Sequence, residues 1–591
     1  MAKWRIAAKK ADFEAIGREH GIDPVIARII RNRDRITPEE IREYLYGEIT
    51  DLPSGDLLKG VPEAAALLAE KIRKKKKLRI IGDYDADGIC ASYILKRGLT
   101  LCGDTGADIV IPHRIKDGYG INCQLLLQAH EEGVDTILTC DNGIAAIEEF
   151  DYAAGLGLTC IITDHHEPVY EETEEGRSYR LPVADIIIDP KQPGCSYPNK
   201  QICGAAVAWK LMIKLWEIMG VVTAEREELL ELAGFATVCD VMELLGENRI
   251  LVKEALRRMR HSGNPGLRAL MKVYEIDGER LSAYHIGFLL GPCLNAAGRL
   301  DTALRALELL QCRKEREAIF LAAQLKELNE SRKEMTERGV QEGIEQICRN
   351  GWDKDRVMVV FLPDCHESLA GIIAGRLREI YYRPVFVITG SREGVKGSAR
   401  SIESYSLYEE MTKCKELFTK YGGHRQAAGF SMEEEKIDTF RERINALCTL
   451  QPEDMEEKLL IDVPMPFSYV TRELIRQLEL LEPFGMGNPK PVFAQKGMTF
   501  LSCRVMGRHG DMARFTVADS GGNRFCLVLF RKFEKWKEDA GNIYGSHRLE
   551  RWMKGQETGT EEPIVMDVSY YPSLNEYMGR SELQFVMLDW K

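Results

Sequence analysis

Short apolar runs alternate with helix-like segments between residues 63 and 311. Because strands that are apolar throughout and separated by helices build parallel sheets covered on both faces, this segment is predicted to be an α/β domain. Four of the runs, each ending in a polar or acidic residue, are predicted as strands: LRIIGDY (78–84), VDTILTC (134–140), LTCIIT (158–163) and ADIIID (184–189).

The segments on either side of this domain have helical patterns. Residues 1–62 predict short helices that form an N-terminal cap, with Thr37 as an N-cap and Pro38 in the first turn of one of them. Residues 312–351 are highly charged and predict one long connecting helix. Its apolar positions recur at helical spacing: Leu321, Leu325, Leu328, Met335, Val340, Ile344 and Ile347.

Two further domains are predicted after this helix. Residues 352–450 contain the strand-like runs RVMVVFL (356–362) and RPVFVIT (383–389) and the glycine-rich YGGHRQAAGF (421–430), which indicate a second, smaller α/β domain. Residues 457–591 contain shorter β-rich runs typical of a small barrel, with an OB-like fold as the expectation. The predicted fold class is therefore α/β, with a mainly parallel sheet domain joined by a long helix to a smaller α/β domain and followed by a β-rich, OB-like domain.

Composition narrows the class of protein. A chain of 591 residues is too long to fold around a single hydrophobic core, so several domains are expected. Its net charge of −12 excludes a uniformly basic nucleic-acid coat, so any site that binds a polyanion must be local. The 16 cysteines include no C-x-x-C pair, which suits a reducing compartment. The chain shows neither an apolar signal core near its start nor a membrane-length apolar run, so we expect a cytoplasmic protein without membrane contact.

Oxygen and imidazole groups follow each predicted strand of the first sheet. Because ligands bind beyond the carboxyl ends of parallel strands, these groups are expected to converge at one edge. Each acidic residue alone fits a turn or a cap, but the set predicts a site for Mg²⁺ or Mn²⁺, with imidazole favouring Mn²⁺. Asp85 and Asp87 would project from the same side if their segment stays extended. The set consists of Asp83, Asp85, Asp87, Asp141, Asn142, Asp164, His165, His166 and Asp189.

Eight motifs in order along residues 60–590 resemble the DHH phosphoesterase superfamily, and within it the RecJ branch of single-strand-specific 5′ to 3′ DNA exonucleases. A DHH triplet alone is a weak signal, whereas the ordered set is specific. The motifs are GDYDADG (82–88), CDNG (140–143), DHH (164–166), GFATVCDVMELLGENR (234–249), GPCLNAAGRLD (291–301), KGSARS (396–401), GGHRQAAGFS (422–431) and LEPFGMGNPKPVFA (481–494).

The resemblance implies a set of metal ligands and nearby catalytic groups. By position, two Mn²⁺ or Mg²⁺ ions would be held by Asp85, Asp87, Asp141, His165 and Asp240. Asp141 would bridge the ions, and Asp164 and His166 would support the site or touch the phosphate. Asp240 follows from the resemblance alone, since its segment also reads as a buried helix with one polar residue. Two ions would activate a water for phosphodiester hydrolysis without a side-chain nucleophile.

The resemblance also implies a binding side for a 5′-terminal phosphate. That side would use Arg114, Arg299, Ser398 and Arg400, while His424 would face the metals from the second domain. His366 is assigned to the substrate side of the cleft. In the barrel, basic and aromatic residues could hold single strands, although ordinary inside–outside alternation along β-strands explains such residues more often. We therefore assign nucleic-acid binding to the domain and not to any one residue. The candidates are Arg504, Arg508, Arg514, Phe515, Arg524 and Phe530.

Two positions depart from the family pattern. Many DHH phosphoesterases have a His four residues before the first metal-binding Asp, where this chain has Ile81. We expect a thinner protein shell around one ion, with Asp83 as a substitute ligand or a supporting group, and activity that depends on millimolar metal. Cys293 stands where the family commonly has Arg, so one phosphate contact is missing or replaced.

Three functions follow from these residues. The leading prediction is a two-metal exonuclease that degrades single-stranded DNA to 5′-mononucleotides in recombination and repair, with a single-strand-binding protein and a helicase as possible partners. A small-substrate DHH phosphodiesterase, acting on nanoRNA or cyclic dinucleotides, is disfavoured because the chain continues into a barrel-like region. A non-catalytic replication scaffold is disfavoured because all five ligand positions are occupied by Asp or His.

Overall fold

A computed structural model describes residues 2–591 except 105, 115–116, 119, 174–175, 392–393, 508–509, 557–561 and 578–579. Two compact units make up the chain. One comprises Met1–Gly47, Glu456–Glu482 and Pro489–Lys591, and the other comprises Glu48–Met455 and Pro483–Asn488. No described helix has both the length and the apolar character needed to cross a membrane.

The N-terminal segment consists of one strand and three helices that begin with side-chain caps. Thr37 and Glu40 form a reciprocal capping box with Pro38 in the first turn, as the sequence predicts. Asn32 Nδ2 donates to the carbonyl of Asp462 at 3.1 Å, which joins this segment to the C-terminal part of its unit. The elements are β1 (Lys3–Ile6), α1 (Phe13–His20), α2 (Pro24–Asn32) and α3 (Pro38–Tyr46).

The first sheet of the larger unit is entirely parallel among its five strands. The elements from 61 to 188 are α4 (Val61–Arg73), β2 (Leu78–Ile81), α5 (Ala86–Leu101), β3 (Asp108–Val110), α6 (Cys123–Glu131), β4 (Thr136–Thr139), α7 (Ile147–Gly155), β5 (Thr159–Thr163), β6 (Val169–Thr173), β7 (Gly176–Arg180) and β8 (Ile186–Ile188). The strand order is β3-β2-β4-β5-β8, while β6 and β7 form a separate hairpin.

Apolar side chains on both faces of this sheet are buried, which confirms the prediction of a covered parallel sheet. Ile80, Leu138 and Ile161 pack on one face with α4, α5 and further helices. Ile81 and Ile137 pack on the other face with α6 and α7. Because both faces are covered, polar chemistry is confined to the carboxyl edge of the strands.

Helices complete this part of the unit. They are α8 (Gly204–Met219), α9 (Glu225–Cys239), α10 (Gly246–Met259), α11 (Pro265–Val273), α12 (Ala283–His285), α13 (Gly291–Leu300), α14 (Leu304–Gln311) and α15 (Glu315–Asn350). A π-helical turn, Ile286–Leu290, joins α12 to α13. The 36-residue α15 is the long helix that the charged, periodic segment predicts.

A mixed five-stranded sheet follows α15. Its elements are β9 (Met358–Leu362), α16 (Ala370–Tyr381), β10 (Val385–Gly390), β11 (Val395–Arg400), α17 (Leu407–Thr412), β12 (Phe418–Gly423), β13 (Ala427–Met432) and α18 (Ile437–Leu447). The strand order is β12-β13-β11-β10-β9, with only β9 and β10 parallel. Val359, Phe386 and Ile388 pack on one face with α18.

The C-terminal segment contains a closed barrel. Its elements are β14 (Lys458–Ile461), β15 (Val463–Pro464), α19 (Arg472–Glu479), β16 (Phe493–Met506), β17 (Met512–Ala518), β18 (Arg524–Leu529), α20 (Phe533–Tyr544), α21 (Ser546–Met553), β19 (Ile564–Tyr577) and β20 (Arg580–Trp590). The order β16-β17-β18-β20-β19 closes through the pairing of β16 with β19. This closure confirms the OB-like prediction.

Candidate metal centre

The turn after β2 starts the site. Asp85 caps α5, since its Oδ1 accepts hydrogen bonds from the N–H groups of Asp87 at 2.9 Å and Gly88 at 3.1 Å. Asp87 lies within the first helical turn. We expected Asp85 and Asp87 to project from one side of an extended segment, and this is wrong because the chain turns into α5 directly after Asp85. Asp85 is the N-cap of that helix, and Asp87 is a helical residue.

The Asp87 carboxylate is held by the N-terminus of another helix. The N–H of Gly204 donates to Oδ2 at 2.7 Å and the N–H of Ala205 donates to Oδ1 at 2.8 Å. Unpaired N–H groups at a helix start favour an anion there. Burial nevertheless raises the pKa of Asp87 to about 6, and repulsion from Asp85 adds to the effect.

Asp141 follows β4 in a left-handed backbone conformation, with φ of 60°. Asp tolerates this conformation better than most residues, and such positions concentrate at functional sites. Its N–H donates to the carbonyl of Thr163 at 3.0 Å, so the ends of β4 and β5 fix its position. Burial raises the pKa of Asp141 well above its usual range, and the nearby Asp87 raises it further.

Asp164 and His166 form a hydrogen-bonded pair beside the ligand candidates. Asp164 Oδ1 lies 2.7 Å from His166 Nδ1, and Oδ2 accepts from the N–H of Ile144 at 2.9 Å. Burial alone would raise the pKa of Asp164, but the bond with His166 lowers it to about 2. Burial would lower the pKa of His166, but the same bond raises it to about 9. The pair therefore consists of a carboxylate and an imidazolium at neutral pH.

His165 faces three carboxylates. Its Nε2 lies 3.0 Å from Asp141 Oδ1, 3.6 Å from Asp240 Oδ2 and 3.7 Å from Asp87 Oδ2. Burial lowers the pKa of His165 to about 3, so the imidazole is neutral at physiological pH. A neutral imidazole nitrogen is the form that binds a metal ion.

Asp240 reaches the cluster from the C-terminal end of α9. Its Oδ2 is buried and makes no hydrogen bond to any described residue. Burial raises the pKa of Asp240 to about 8, with repulsion from Asp87 as the next cause. Asp240 could not be predicted from the residue patterns alone, because an aspartate at the end of an apolar helix does not indicate which side chains the helix end contacts.

The side chains form three groups in which one ligand atom from each residue lies within 4.8 Å of the others. The groups are Asp141 with His165 and His166, Asp87 with His165 and Asp240, and Asp83 with Asp85 and Asp141. Ile81, in the place of the missing His, is fully buried in the sheet.

The donor set fits divalent cations. Asp83 Oδ1 is buried and unpaired among the described residues, and burial raises the pKa of Asp83 well above its usual range. Buried carboxylates that repel one another are stabilised by a nearby cation, and oxygen with imidazole is the ligand chemistry of Mg²⁺ and Mn²⁺. Asp85, Asp87, Asp141, His165 and Asp240, with Asp83 in addition, would hold such ions.

A cavity of about 500 Å³ lies near the metal cluster in the same unit, and its walls include three cationic side chains. It contains two of the predicted phosphate-binding residues, Arg114 and Ser398. The Arg114 guanidinium lies 4.8 Å from the centre of the Tyr84 ring. The lining residues are Tyr84, Arg114, Glu367, Ser368, Ala370, Lys396, Gly397, Ser398, Lys420, Tyr421, Gly422, Gly429, Phe430 and Ser431.

Arg299 and Arg400 lie beside this cavity and outside its lining. Arg299 Nη1 donates to the carbonyl of Ser368, a lining residue, at 2.8 Å. Burial lowers the pKa of Arg299 to about 10, and Arg114 contributes to the lowering. Burial also lowers the pKa of Arg400, with contributions from Arg378 and Arg114. The arginines are thus close enough to repel one another, as expected around an anion site.

Lys396 and Lys420 line the cavity but were missed from the sequence. A signal for Lys396 was present, since Lys396, Ser398 and Arg400 alternate along β11 and therefore share one face of the strand. Lys396 forms an ion pair with Glu367 at 3.0 Å across the cavity wall. Lys420 had no such signal.

His424 is exposed in the turn between β12 and β13, where its N–H donates to the carbonyl of Ala427 at 2.8 Å. It is not among the residues that line the cavity. His366 Nδ1 lies 2.7 Å from Ser368 Oγ and so supports a lining residue. Cys293 is fully buried, and it offers no contact to a phosphate.

The barrel candidates fall into different environments. Phe515 is fully buried, with its ring 4.6 Å from that of Trp536, so it belongs to the barrel core, as inside–outside alternation predicts. Phe530 is exposed, and Arg514 Nε donates to Cys526 Sγ at 3.0 Å. Arg504 and Arg524 lie on β16 and β18. Arg508 lies outside the described residues.

Comparison with protein-family models places the parts of the chain in known classes. The DHH family N-terminal domain matches residues 77–237, the DHHA1 domain matches residues 354–450 and the RecJ OB domain matches residues 461–589. The sheet with its carboxylate edge is therefore a DHH-type phosphoesterase domain, joined to a DHHA1 domain.

Similar proteins narrow this class to one family. The single-stranded-DNA-specific exonuclease RecJ of Bacillus subtilis is 34% identical over 549 residues, covering 92% of this chain and 67% of the relative. That of Escherichia coli is 32% identical, covering 80% of this chain and 83% of the relative. The crystal structure of Thermus thermophilus RecJ in complex with Mn²⁺ matches with a TM-score of 0.81 and 29% identity, covering 100% of this chain and 79% of that one. The chain belongs to the RecJ family.

Proposed function

We propose that this protein is a metal-dependent exonuclease that hydrolyses single-stranded DNA from its 5′ end and releases 5′-mononucleotides, in DNA recombination and repair. The observation that carries the proposal is the convergence of His165 on three carboxylates, the buried Asp87 and Asp141 and the half-buried Asp240, with Nε2 to carboxylate distances of 3.0–3.7 Å. The cationic cavity supplies a separate site for the substrate phosphate. Similarity to RecJ exonucleases supports the choice of single-stranded DNA.

Mn²⁺ or Mg²⁺ is the proposed cofactor, with two ions per site. T. thermophilus RecJ has been solved with each of these ions. Bound ions would supply an activated water and stabilise charge on the phosphate. Asp85, Asp87, Asp141, His165 and Asp240 are the proposed ligands, and Asp83 compensates for the apolar Ile81.

The remaining polar groups position the substrate, and one of them, His166, can supply a proton. Asp164 orients His166 and keeps its imidazole protonated, so His166 can donate a hydrogen bond to a phosphate oxygen or a proton to the leaving oxygen. Arg114 and Ser398 in the cavity wall, with Arg299 and Arg400 beside it, bind the 5′-terminal phosphate, because cationic and hydroxyl donors select a dianionic end. We keep His424 as a further catalytic group that approaches when DNA fills the cavity.

The proposal extends to the setting in which the enzyme works. A single-strand-binding protein and a helicase are the proposed partners, because an exonuclease specific for single strands needs a strand that has been separated and kept open. A cytoplasmic location accords with the 16 free cysteines, which lack any disulfide. The RecJ OB domain, rather than any one of its residues, is assigned to binding the strand.

The test compares Asp141→Asn with a matched control, Asp151→Asn, on single-stranded DNA carrying a labelled 5′-phosphate. Asn preserves shape and tolerates the left-handed backbone of residue 141, while Asp151 is an exposed helix residue. With Mn²⁺, we expect wild type and Asp151→Asn to release labelled mononucleotide first. We expect Asp141→Asn to be slower by more than about 100-fold, since loss of an outer partner of a metal site alone costs about 10- to 100-fold. Absence of release by wild type, equal release by Asp141→Asn, or release that starts from the 3′ end would refute the proposal.

A further inference from the structure

Two aromatic rings are stacked on the surface of the larger unit. Tyr284 and Phe288 are 55% and 65% exposed, and their rings lie 4.9 Å apart at an angle of 25°. Large aromatic side chains are mostly buried in folded proteins. Here both rings remain largely in solvent, in a conformation already arranged for stacking.

The local backbone explains why these rings meet outside the core. Residues 283–300 form one continuous helix, in which a π-helical turn, Ile286–Leu290, separates α12 from α13. Ile286 and Leu290 point into the core, whereas Tyr284 and Phe288, four residues apart, share the outer face. π-helical turns inside α-helices are frequent at functional sites.

This helix passes beside the metal centre. A Cβ on Gly287 would lie 3.5 Å from Val238 Cγ1, and one on Gly291 would lie 2.5 Å from Cys239 Sγ. Val238 and Cys239 are the residues that lead into Asp240. The helix that carries the aromatic pair therefore packs against the end of α9 that leads into Asp240.

The other end of the same helix reaches the phosphate side. Asn295 Oδ1 accepts a hydrogen bond from the N–H of Ala86 at 2.8 Å, and Arg299 lies one residue before the helix end. Phe288 and Arg299 are eleven positions apart along the helix, which corresponds to about 16 Å at 1.5 Å per residue. The helix thus connects a phosphate-binding end to an aromatic end, with the metal cluster close to its course.

We propose that Tyr284 and Phe288 form a stacking step for the bases of single-stranded DNA on the 3′ side of the bond that is cut. The inference rests on the proposed exonuclease function, since a 5′-phosphate at Arg299 leaves the rest of the strand to run past the metals toward this step. A length of about 16 Å matches four or five stacked nucleotides at about 3.4 Å each. Aromatic faces stack on every base, so the step suits an enzyme that must accept any sequence.

The first experiment compares a Tyr284→Ala/Phe288→Ala double variant with Phe320→Ala, a control that removes a 64% exposed aromatic ring from α15. For each protein we measure the ratio of kcat/KM on a 5′-phosphorylated twenty-nucleotide strand to kcat/KM on a trinucleotide too short to reach the step. We expect this ratio to fall about tenfold in the double variant, mainly through KM, because one base–aromatic stack contributes that order of affinity. Phe320→Ala should keep the wild-type ratio, and Phe288→Trp should preserve or raise it.

The second experiment removes the bases instead of the rings. In EDTA, wild type should bind strands that are abasic at the fourth and fifth nucleotides about tenfold more weakly than intact strands. The double variant should bind abasic and intact strands with equal affinity. The dependence of binding on salt should be the same for both proteins, because stacking neutralises no phosphate.

The outcomes separate this inference from the proposed function. The stacking step would be overturned if the double variant kept the wild-type ratio of kcat/KM on the long strand to kcat/KM on the trinucleotide. It would also be overturned if the losses of DNA affinity caused by removing the rings and by removing the bases were additive. Either result would leave the exonuclease proposal standing. Equal binding of intact DNA by the double variant and wild type would also overturn the stacking step, as expected of a pair that contacts another protein. A wild-type protein that degrades no single-stranded DNA would overturn the proposed function itself.

Discussion

The acidic residues of the metal centre differ in how the protein satisfies them. Asp87 and Asp164 accept backbone hydrogen bonds, from Gly204 and Ile144 among others, so part of their charge is neutralised by the fold. Asp83 and Asp240 each have a buried oxygen that no described residue pairs with. Because a buried unpaired carboxylate is costly, these two oxygens depend most on an external cation.

Replacement of Asp83 by Asn tests whether it compensates for the apolar Ile81. We expect Asp83→Asn to weaken Mn²⁺ binding by about 10- to 100-fold, because a ligand or its direct support is lost while the shape is kept. Titration calorimetry at fixed pH measures the change, with Asp151→Asn as the control. An unchanged affinity would show that Asp83 neither binds nor supports the metal ion, and that no contribution from Asp83 replaces the missing His at position 81.

Residues at strand ends could be predicted from the sequence, whereas those carried by distant helices could not. Asp85, Asp141 and His165 follow buried strands, and neighbouring parallel strands must end at one edge. Asp240 joins them only because α9 packs against α5 and α8, which no local pattern indicates. Phe515 shows the converse, since alternation along a barrel strand does not say which face is inside.

At the scale of elements, α13 determines the shape of the acidic turn that follows β2. A Cβ on Gly298 would lie 2.3 Å from the carbonyl oxygen of Tyr84, so the helix touches the backbone of the turn directly. The Asn295 side chain bonds Ala86 in the same turn. The contact explains why a glycine stands near the end of a helix, where it lowers helix stability.

Two glycine-to-alanine changes separate this contact from helix propensity. Gly298→Ala should destabilise the protein by about 1–3 kcal/mol, because the added methyl group meets backbone that must shift. Gly375→Ala, in α16, should stabilise it by about 0.5–1 kcal/mol, because a methyl group there meets nothing within 4 Å. Urea unfolding measures both, and exonuclease activity should fall only for Gly298→Ala. Stabilisation by both changes would show that the turn adapts freely.

At the scale of the whole molecule, the negative net charge of the protein opposes binding of the proposed substrate, which is also negatively charged. The net charge of −12 repels DNA at a distance, so the attraction must come from a local concentration of cations. Arg114, Lys396 and Lys420 around the cavity supply it. Their effect reaches only about 8 Å at physiological ionic strength, which restricts strong binding to strands that enter the cavity.

The same acidic cluster makes stability depend on both pH and metal. In EDTA, Asp87 with a pKa of about 6 and Asp240 with a pKa of about 8 hold protons that an unfolded chain, with a carboxyl pKa of about 3.9, has released. At these two groups the folded state then binds more protons, so their contribution to stability falls as pH rises from about 4 through 8. His165, whose pKa burial lowers to about 3, contributes in the opposite direction up to about pH 6.5. Mn²⁺ replaces the protons on Asp87 and Asp240, and its stabilising effect should therefore grow with pH. Scanning calorimetry with EDTA or Mn²⁺ should show a larger Tm increase at about pH 8 than at about pH 5.5, and Asp240→Asn should reduce the difference. An equal Tm increase at both pH values would mean that these carboxyl groups do not exchange protons for metal.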